Sequence, residues 1–421
     1  MEIKLAYGKT GLQVNIPEHI HTEVVEPRFV EGLADQDQAV RDALAKPIQH
    51  PPLKESVKNG QRVAIIFSDI TRATPYHILV PALLESLDHL PDKDITFFCA
   101  TGTHRPATPE ELVTILGQEI VERFRIVQNN AGEKSEFTHV GTTASGNQIE
   151  LNKEILACDL RILTGFIEPH FFAGFSGGGK ALMPGMAYVE TIRYNHAIRN
   201  LENPLARWGK TSGNPLWEDV MEAAEFASPL FLLNIALNRE KLITGVFAGD
   251  LREAHKLGSA FVKETAMAGL DQAFDVVVSS NSVYPLDLNV YQSVKGMSAA
   301  EQVVKEGGTI IIAAECWDGI PSGSDYETIL KSVADVPALM EFIKAHESEL
   351  QDTWQVYFQA MIQMKAEVCL YSELDAETVL STHLTPVADM DKLMLQLIEK
   401  YGSNTRICVL PEGPQTIPYL K

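Results

Sequence analysis

Three short segments hold the residues best suited to acid–base chemistry: SDITR (68–72), TGTHRP (101–106) and GFIEPH (165–170). Together they supply a carboxylate, Asp69, a hydroxyl, Thr71, a guanidinium, Arg72, and two imidazoles, His104 and His170. A pair of imidazoles suits a reaction that takes a proton from one group and returns one to another. His104 also precedes Arg105-Pro106, a stiffened turn. Glu168 either orients a histidine or serves as a structural partner. Arg72 has a bland alternative, pairing with Asp69 at a helix start. His19, His21, His50, His77, His89, His139, His255, His346 and His383 read as surface or hydrogen-bonded core residues.

A second constellation is GFSGGGKA (174–181), which fits G-x-x-x-x-G-K but ends on Ala181, where a phosphate loop needs a Mg²⁺-binding hydroxyl. EPHFFA also separates it from the preceding strand, against a nucleotide triphosphatase. Gly177, Gly178 and Gly179 make either a tight turn or lid, or a bend whose N–H groups hold one phosphate without magnesium. Lys180 adds a positive charge or a nucleophilic amine. His196, in RYNHAIRN, lies in no H-x-x-x-H or H-E-x-x-H frame, so spacing alone is only weak support for a metal role. In YQSVKG (291–296), Gln292 and Lys295 share one helical face. They present an amide and a cation to a carboxylate, or form a solvated face, which spacing alone favours.

These residues need a scaffold. RVAIIFSD (62–69), DITFFCATG (94–102), RIVQNN and DLRILTGF (159–166) are short apolar runs that read as buried strands. A helix follows Pro75. Thr108, Pro109 and Glu111 spell an N-cap, a first-turn proline and a capping box, opening a helix through ELVTILGQEIVERF. THVGTTASGNQIEL reads as a hairpin turning at Ser145-Gly146-Asn147. Asp250 and Glu253 cap a further helix. FDVVVSSN, GTIIIAAE, AEVCLYSE and RICVLPEG are strands of a second block. The expected fold class is α/β, with two α/β domains of mostly parallel sheets, residues 1–271 and 272–421. In such sheets ligands bind outside the carboxyl ends of the strands. The three acid–base segments each follow a strand, so they are expected to converge there.

Composition sets outer limits. Lysine and arginine total 35 against 56 aspartate and glutamate, a formal charge of −21, which argues against nucleic acid or an anionic membrane as partner. Five dispersed cysteines without a C-x-x-C suggest reduced thiols and no zinc motif. MEIKLAYGKT lacks a secretory apolar segment, and no apolar run approaches a membrane span, so a cytoplasmic protein is expected.

GFIEPHFFAGFSGGGKALMPG (165–185), with SDITR, TGTHRP, YNH and YQSVKG in the same order, resembles the nickel-pincer lactate racemase family. The resemblance implies two α/β domains with an active-site cleft between them. It implies an isomerase, a racemase or epimerase inverting C2 of a small 2-hydroxy acid by proton-coupled hydride transfer. The implied cofactor is a nickel-pincer nucleotide, a pyridinium-3-thioamide-5-thiocarboxylate mononucleotide carrying Ni(II), made by separate cofactor-biosynthesis enzymes. By the same resemblance Lys180 is the covalent attachment point and His196 the fourth nickel ligand. His104 and His170 are the acid–base pair, and Asp69, Thr71, Arg72, Tyr291, Gln292, Lys295 and Trp354 line the substrate site. A single tethered phosphate would leave a Mg²⁺ hydroxyl with no task, which fits Ala181. Ile70 stands where the family commonly has histidine, and Gly179 where it has arginine. Those departures leave lactate and larger acids both open. A pyridine-nucleotide oxidoreductase would need G-x-G-x-x-G directly after a strand, and none is present in that context. A non-catalytic nucleotide-binding protein is the other alternative.

Overall fold

The structure, a computed structural model, describes residues 1–347, 349–350 and 352–421. Its contacts divide the chain into two units, one of residues 29–265 and one joining residues 1–28 to residues 266–421.

The first unit is built on a six-stranded sheet. Its strands are β1 (Val63–Ser68), β2 (Ile95–Ala100), β3 (Arg125–Gln128), β4 (Leu160–Phe166), β5 (Leu230–Leu237) and β6 (Ile243–Gly249). They lie in the order β6-β5-β4-β1-β2-β3, all parallel except β6, which runs antiparallel to β5. β1 reads as an unbroken apolar run because both its faces are buried. Val63, Ile65 and Phe67 enter one core cluster, and Ala64 and Ile66 the other. From β1 the chain steps outward through β2 and β3, then returns to place β4 on the other side of β1. That reversal is a topological switch point, where loops leaving neighbouring strands diverge and open a crevice.

Local signals account for the helices around this sheet. α1 (Tyr76–Ser86) follows Pro75. α2 (Pro109–Leu116) has the full capping box, with Thr108 and Glu111 each bonded to the other's backbone. The helix expected to run on through Phe124 instead breaks at Gly117, whose φ of +87° ends one helix before α3 (Gln118–Arg123) begins. Downstream come α4 (Val189–Asn195), α5 (Pro215–Glu225) and α6 (Leu251–Ala266). The expected hairpin is present, Phe137–Thr142 against Gln148–Asn152, with Gly146 at φ +91° in the turn.

The second unit carries its own six-stranded sheet, entirely parallel. Its strands run Thr385–Val387, Glu367–Tyr371, Val304–Ala313, Phe274–Ser280, Arg406–Leu410 and His21–Val24 in spatial order. α7 (Val290–Glu301) and α8 (Thr353–Lys365) pack in this unit. The fold class is therefore the one expected, two α/β units with mostly parallel sheets. The expected division at 271/272 needs correction at its ends. The break in contacts falls at 265/266, and residues 1–28 group with the C-terminal block. The reason is long-range: His21–Val24 pairs with Arg406–Val409, and the mixed-polarity HTEV gives no local sign of its partner sheet. Among the described residues no helix is long and apolar enough to cross a membrane.

Candidate active site

The three acid–base segments leave the carboxyl ends of β1, β2 and β4, adjacent strands in the order β4-β1-β2. Asp69, one residue past β1, is buried. Its Oδ1 accepts from the Thr71 N–H at 3.1 Å and the Thr71 hydroxyl at 2.5 Å, and its Oδ2 lies 2.6 Å from Nδ1 of His104. Burial would raise its pKa, but the bonds from His104 and Thr71, with the charges of His104 and Arg72, hold it below the ordinary value. Arg72 reaches across to β4's loop, where Nη1 is 3.4 Å from Oε1 of Glu168. The simple Arg72–Asp69 ion pair is thus not formed, and Glu168 serves the guanidinium.

His170 lies in a two-residue strand, Pro169–His170, paired with Gly174–Phe175. Its Nδ1 accepts the Ala173 N–H at 3.3 Å, and its ring stacks on Phe171 at 5.1 Å between centroids. The Phe172 ring links three candidate residues. It is 4.5 Å from the ring of His170, 5.0 Å from that of His196, and 5.7 Å from Nζ of Lys180.

Lys180 sits in a short 3₁₀ turn, Gly178–Ala181. Burial, reinforced by the positive charge of Arg72 and opposed by Glu168, lowers its amine to about 7. A large share of the amine is therefore neutral at physiological pH, the form that attacks an electrophile. His196 caps the C-terminus of α4 and its Nδ1 lies 3.1 Å from the carbonyl of Ile192. A carbonyl accepts only, so Nδ1 carries the hydrogen and Nε2 keeps its lone pair. Burial first, then Lys180, lower the His196 pKa to about 3, against the Ile192 bond and Asp219. A neutral imidazole with one nitrogen oriented by a carbonyl is the form that ligates metals. Among the described residues no cluster of three or more His, Cys, Asp or Glu could hold a metal ion.

The glycine run is explained by close packing. Gly177 and Gly178 have φ of +76° and +59°. A Cβ on Gly177 would lie 2.5 Å from Oδ1 of Asn234, one on Gly178 2.8 Å from the ring of His255, and one on Gly179 2.9 Å from the carbonyl of Val220. The Gly178 N–H is bonded to Asn234 Oδ1 at 2.8 Å. The expectation of a bend whose N–H groups face a phosphate is corrected for Gly178, because that donor is used internally. His255 braces the same loop: Nε2 donates to the Ser176 carbonyl at 2.8 Å, and the Ser259 hydroxyl is 3.1 Å from Nδ1.

Sequence reasoning missed three supporting residues. Asn234 is a lone amide in the apolar run LFLLNIAL, a visible signal. His255 had no distinguishing context. Asp219 is buried in α5 and takes bonds from Thr143, Ser145, Asn147 and Asn195 at 2.5 to 2.8 Å, tying the hairpin and the His196-bearing helix to α5. Nothing in WEDV announced that.

In the second unit, Tyr291, Gln292 and Lys295 occupy the first two turns of α7, and all are partly buried rather than fully solvated. The Tyr291 hydroxyl is 3.2 Å from Oδ1 of Asp352, and burial, then Asp352, raise its pKa, so it stays protonated. Trp354 lies in the first turn of α8.

The chain matches two family models, the lactate racemase N-terminal domain over residues 7–209 and the lactate racemase C-terminal domain over residues 270–417. It is 37% identical to a lactate racemase of Lactiplantibacillus plantarum over 421 residues, covering 98% of each chain. It is 34% identical to a lactate racemase of Thermoanaerobacterium thermosaccharolyticum, covering 99% of this chain and 98% of that one. Among solved structures, the apoprotein of the T. thermosaccharolyticum lactate racemase superposes with a TM-score of 0.92 at 34% identity, over 99% of this chain and 100% of that one. A Thermotoga maritima protein shares the fold, with a TM-score of 0.69 at 18% identity, over 93% of this chain and 100% of that one.

Proposed function

The chain belongs to the lactate racemase family and is an isomerase, and on that premise we propose that it inverts C2 of a small 2-hydroxy acid with the help of a Lys180-tethered nickel-pincer nucleotide. Lactate, the substrate in the names of its relatives, is the first acid to test. The observation that carries the proposal is the grouping around Phe172 of an amine lowered to about 7, Lys180, a buried imidazole, His196, and the ring of His170.

These residues fit the proposed group. Lys180 supplies a partly neutral amine for a covalent tether. His196 would supply one neutral imidazole donor, a ligand type that suits Ni(II). When bound, the nucleotide supplies a hydride acceptor and donor, chemistry that no side chain offers. Everything else falls to the protein. Arg72, steadied by Glu168, holds the substrate carboxylate. His104 takes the hydroxyl proton of one enantiomer at Nε2, and His170 serves the other, because mirror-image substrates direct their hydroxyls differently. Tyr291, Gln292, Lys295 and Trp354, on the second unit, are assigned to the substrate by family resemblance.

The test is racemisation of lactate and larger 2-hydroxy acids in D₂O. The protein is co-expressed with cofactor-making enzymes and the products are resolved on a chiral column. Inversion with the Cα hydrogen retained supports hydride return, and deuterium at Cα points to carbanion exchange instead. His104→Ala and His170→Ala should each abolish interconversion. Full activity in both would refute the acid–base assignment.

A further inference from the structure

Asp69 divides its carboxylate between two neighbours. Oδ1 takes both the N–H and the hydroxyl of Thr71, and Oδ2 faces Nδ1 of His104 at 2.6 Å. Asp69 is 7% exposed, whereas the His104 side chain is 54% exposed. A bare Nδ1 at that distance would set its lone pair against a carboxylate oxygen, so Nδ1 carries the hydrogen and the neutral ring has its lone pair at Nε2.

We propose that Asp69 is a positioning residue and not a substrate contact: it locks His104 in the Nδ1–H tautomer, so that His104 enters the cycle as the proton acceptor, and Thr71 locks Asp69. The proposal rests on the reading of His104 as an acid–base group and reassigns two residues expected to line the substrate. As the substrate O–H bond breaks, its proton forms the new Nε2–H bond. The freed O–H electron pair would become the second C–O bond, provided that the nucleotide, when bound, supplied the acceptor for the Cα hydrogen and its electron pair. Nδ1–H stays on His104 throughout, and Asp69 takes no proton. The attraction between Asp69 and the ring grows as the ring becomes charged, so it stabilises the transition state more than the ground state.

Replacing the carboxylate with an amide keeps the shape and reverses the hydrogen-bond instruction. In serine-protease triads the same change lowers kcat about 10⁴-fold through the wrong tautomer. Ring-¹⁵N-histidine-labelled apoprotein, with His104 assigned by its loss in His104→Gln, reports the tautomer without any cofactor. Wild type should show His104 with hydrogen on Nδ1. Asp69→Asn should move it toward Nε2 and leave His170 unchanged. In the loaded enzyme, Asp69→Asn should lower kcat by about 10²- to 10⁴-fold with KM within about threefold. Thr71→Val, which leaves both Asp69 and His104 in place, should give a smaller change of the same sign, and it serves if Asp69→Asn does not fold. An unaltered His104 tautomer in Asp69→Asn, or a raised KM at constant kcat, would overturn the proposal. Loss of the racemase reading would show differently, as full activity in His104→Ala, while the apoprotein spectra still decide the role of Asp69.

Discussion

Gly178 donates its backbone N–H to Oδ1 of Asn234 at 2.8 Å, while Nδ2 of the same amide donates to the Gly165 carbonyl at 3.3 Å. One buried side chain on β5 thus ties the turn bearing Lys180 to the end of β4. The lysine is presented by a loop whose neighbours are held from two sides.

Asn234→Leu keeps the volume and leaves the buried Gly178 N–H without its partner, while the Gly165 carbonyl keeps its place in the parallel ladder. An unmet buried group costs about 1–3 kcal/mol. Thermal denaturation should show a clear drop in Tm. Intact-mass measurement should show less tethered cofactor per chain than in wild type. An unchanged Tm with full cofactor loading would show that the amide does not brace the loop.

Gly178→Ala should fail for two separate reasons. The residue sits at φ +59°, and its new Cβ would lie 2.8 Å from the ring of His255 and 2.9 Å from that of Trp217. Left-handed backbone alone costs a non-glycine residue on the order of 1–3 kcal/mol. Chemical denaturation should register at least that loss. By contrast Gly60→Ala, also at positive φ but with open space around it, should register the backbone part only.

Lys180 should react as an unusually acidic amine. With its pKa lowered to about 7, acylation of the apoprotein should rise steeply through neutral pH, several units below ordinary lysines at about 10.4. Peptide mapping of Lys180 labelling against pH measures this directly. Lys180→Arg keeps the charge and should carry no tether. Labelling that rises only above pH 9 would remove the argument for a neutral nucleophile.

His255 should make the fold acid-sensitive. It is 2% exposed, and burial lowers its pKa to about 4, against a partial opposing effect of the Ser176 carbonyl. The unfolded chain binds this proton near pH 6.5 and the folded chain only near 4. Between those values the unfolded state holds more protons, so stability falls as pH falls. The full effect is about 3 kcal/mol, spread over pH 6.5 to 4. Urea unfolding of wild type and His255→Gln across that range checks it: the stability gap should narrow toward pH 4. A gap constant with pH would show that His255 titrates alike in both states.

The acid–base segments were legible because each followed an apolar β-branched run, and buried parallel strands have that character. The capping box at Thr108–Glu111 was legible because it is a local hydrogen-bond motif. Gly117 shows the limit, since apolar periodicity continued through it and only its positive φ ended the helix. β5 and β6 were not read from LFLLNIAL and ITGVFAG, although the first is an uninterrupted apolar run bounded by Pro229 and Asn238. Phosphate-loop spacing drew attention to Gly177–Gly179 for a reason the packing does not support for Gly178.

By itself the sequence determined the α/β class, the strand ends that carry Asp69, Arg72, His104 and His170, and the loop that carries Lys180, because periodicity, caps and turns act over a few residues. Only the tertiary structure decided that Arg72 pairs with Glu168, that Asp69 faces His104, that Asn234 and His255 hold the glycine turn, and that residues 1–28 join the C-terminal sheet. Those pairings are set by strand order and by which buried donor meets which acceptor. Both are properties of distance in space, and no local stretch of chain encodes them.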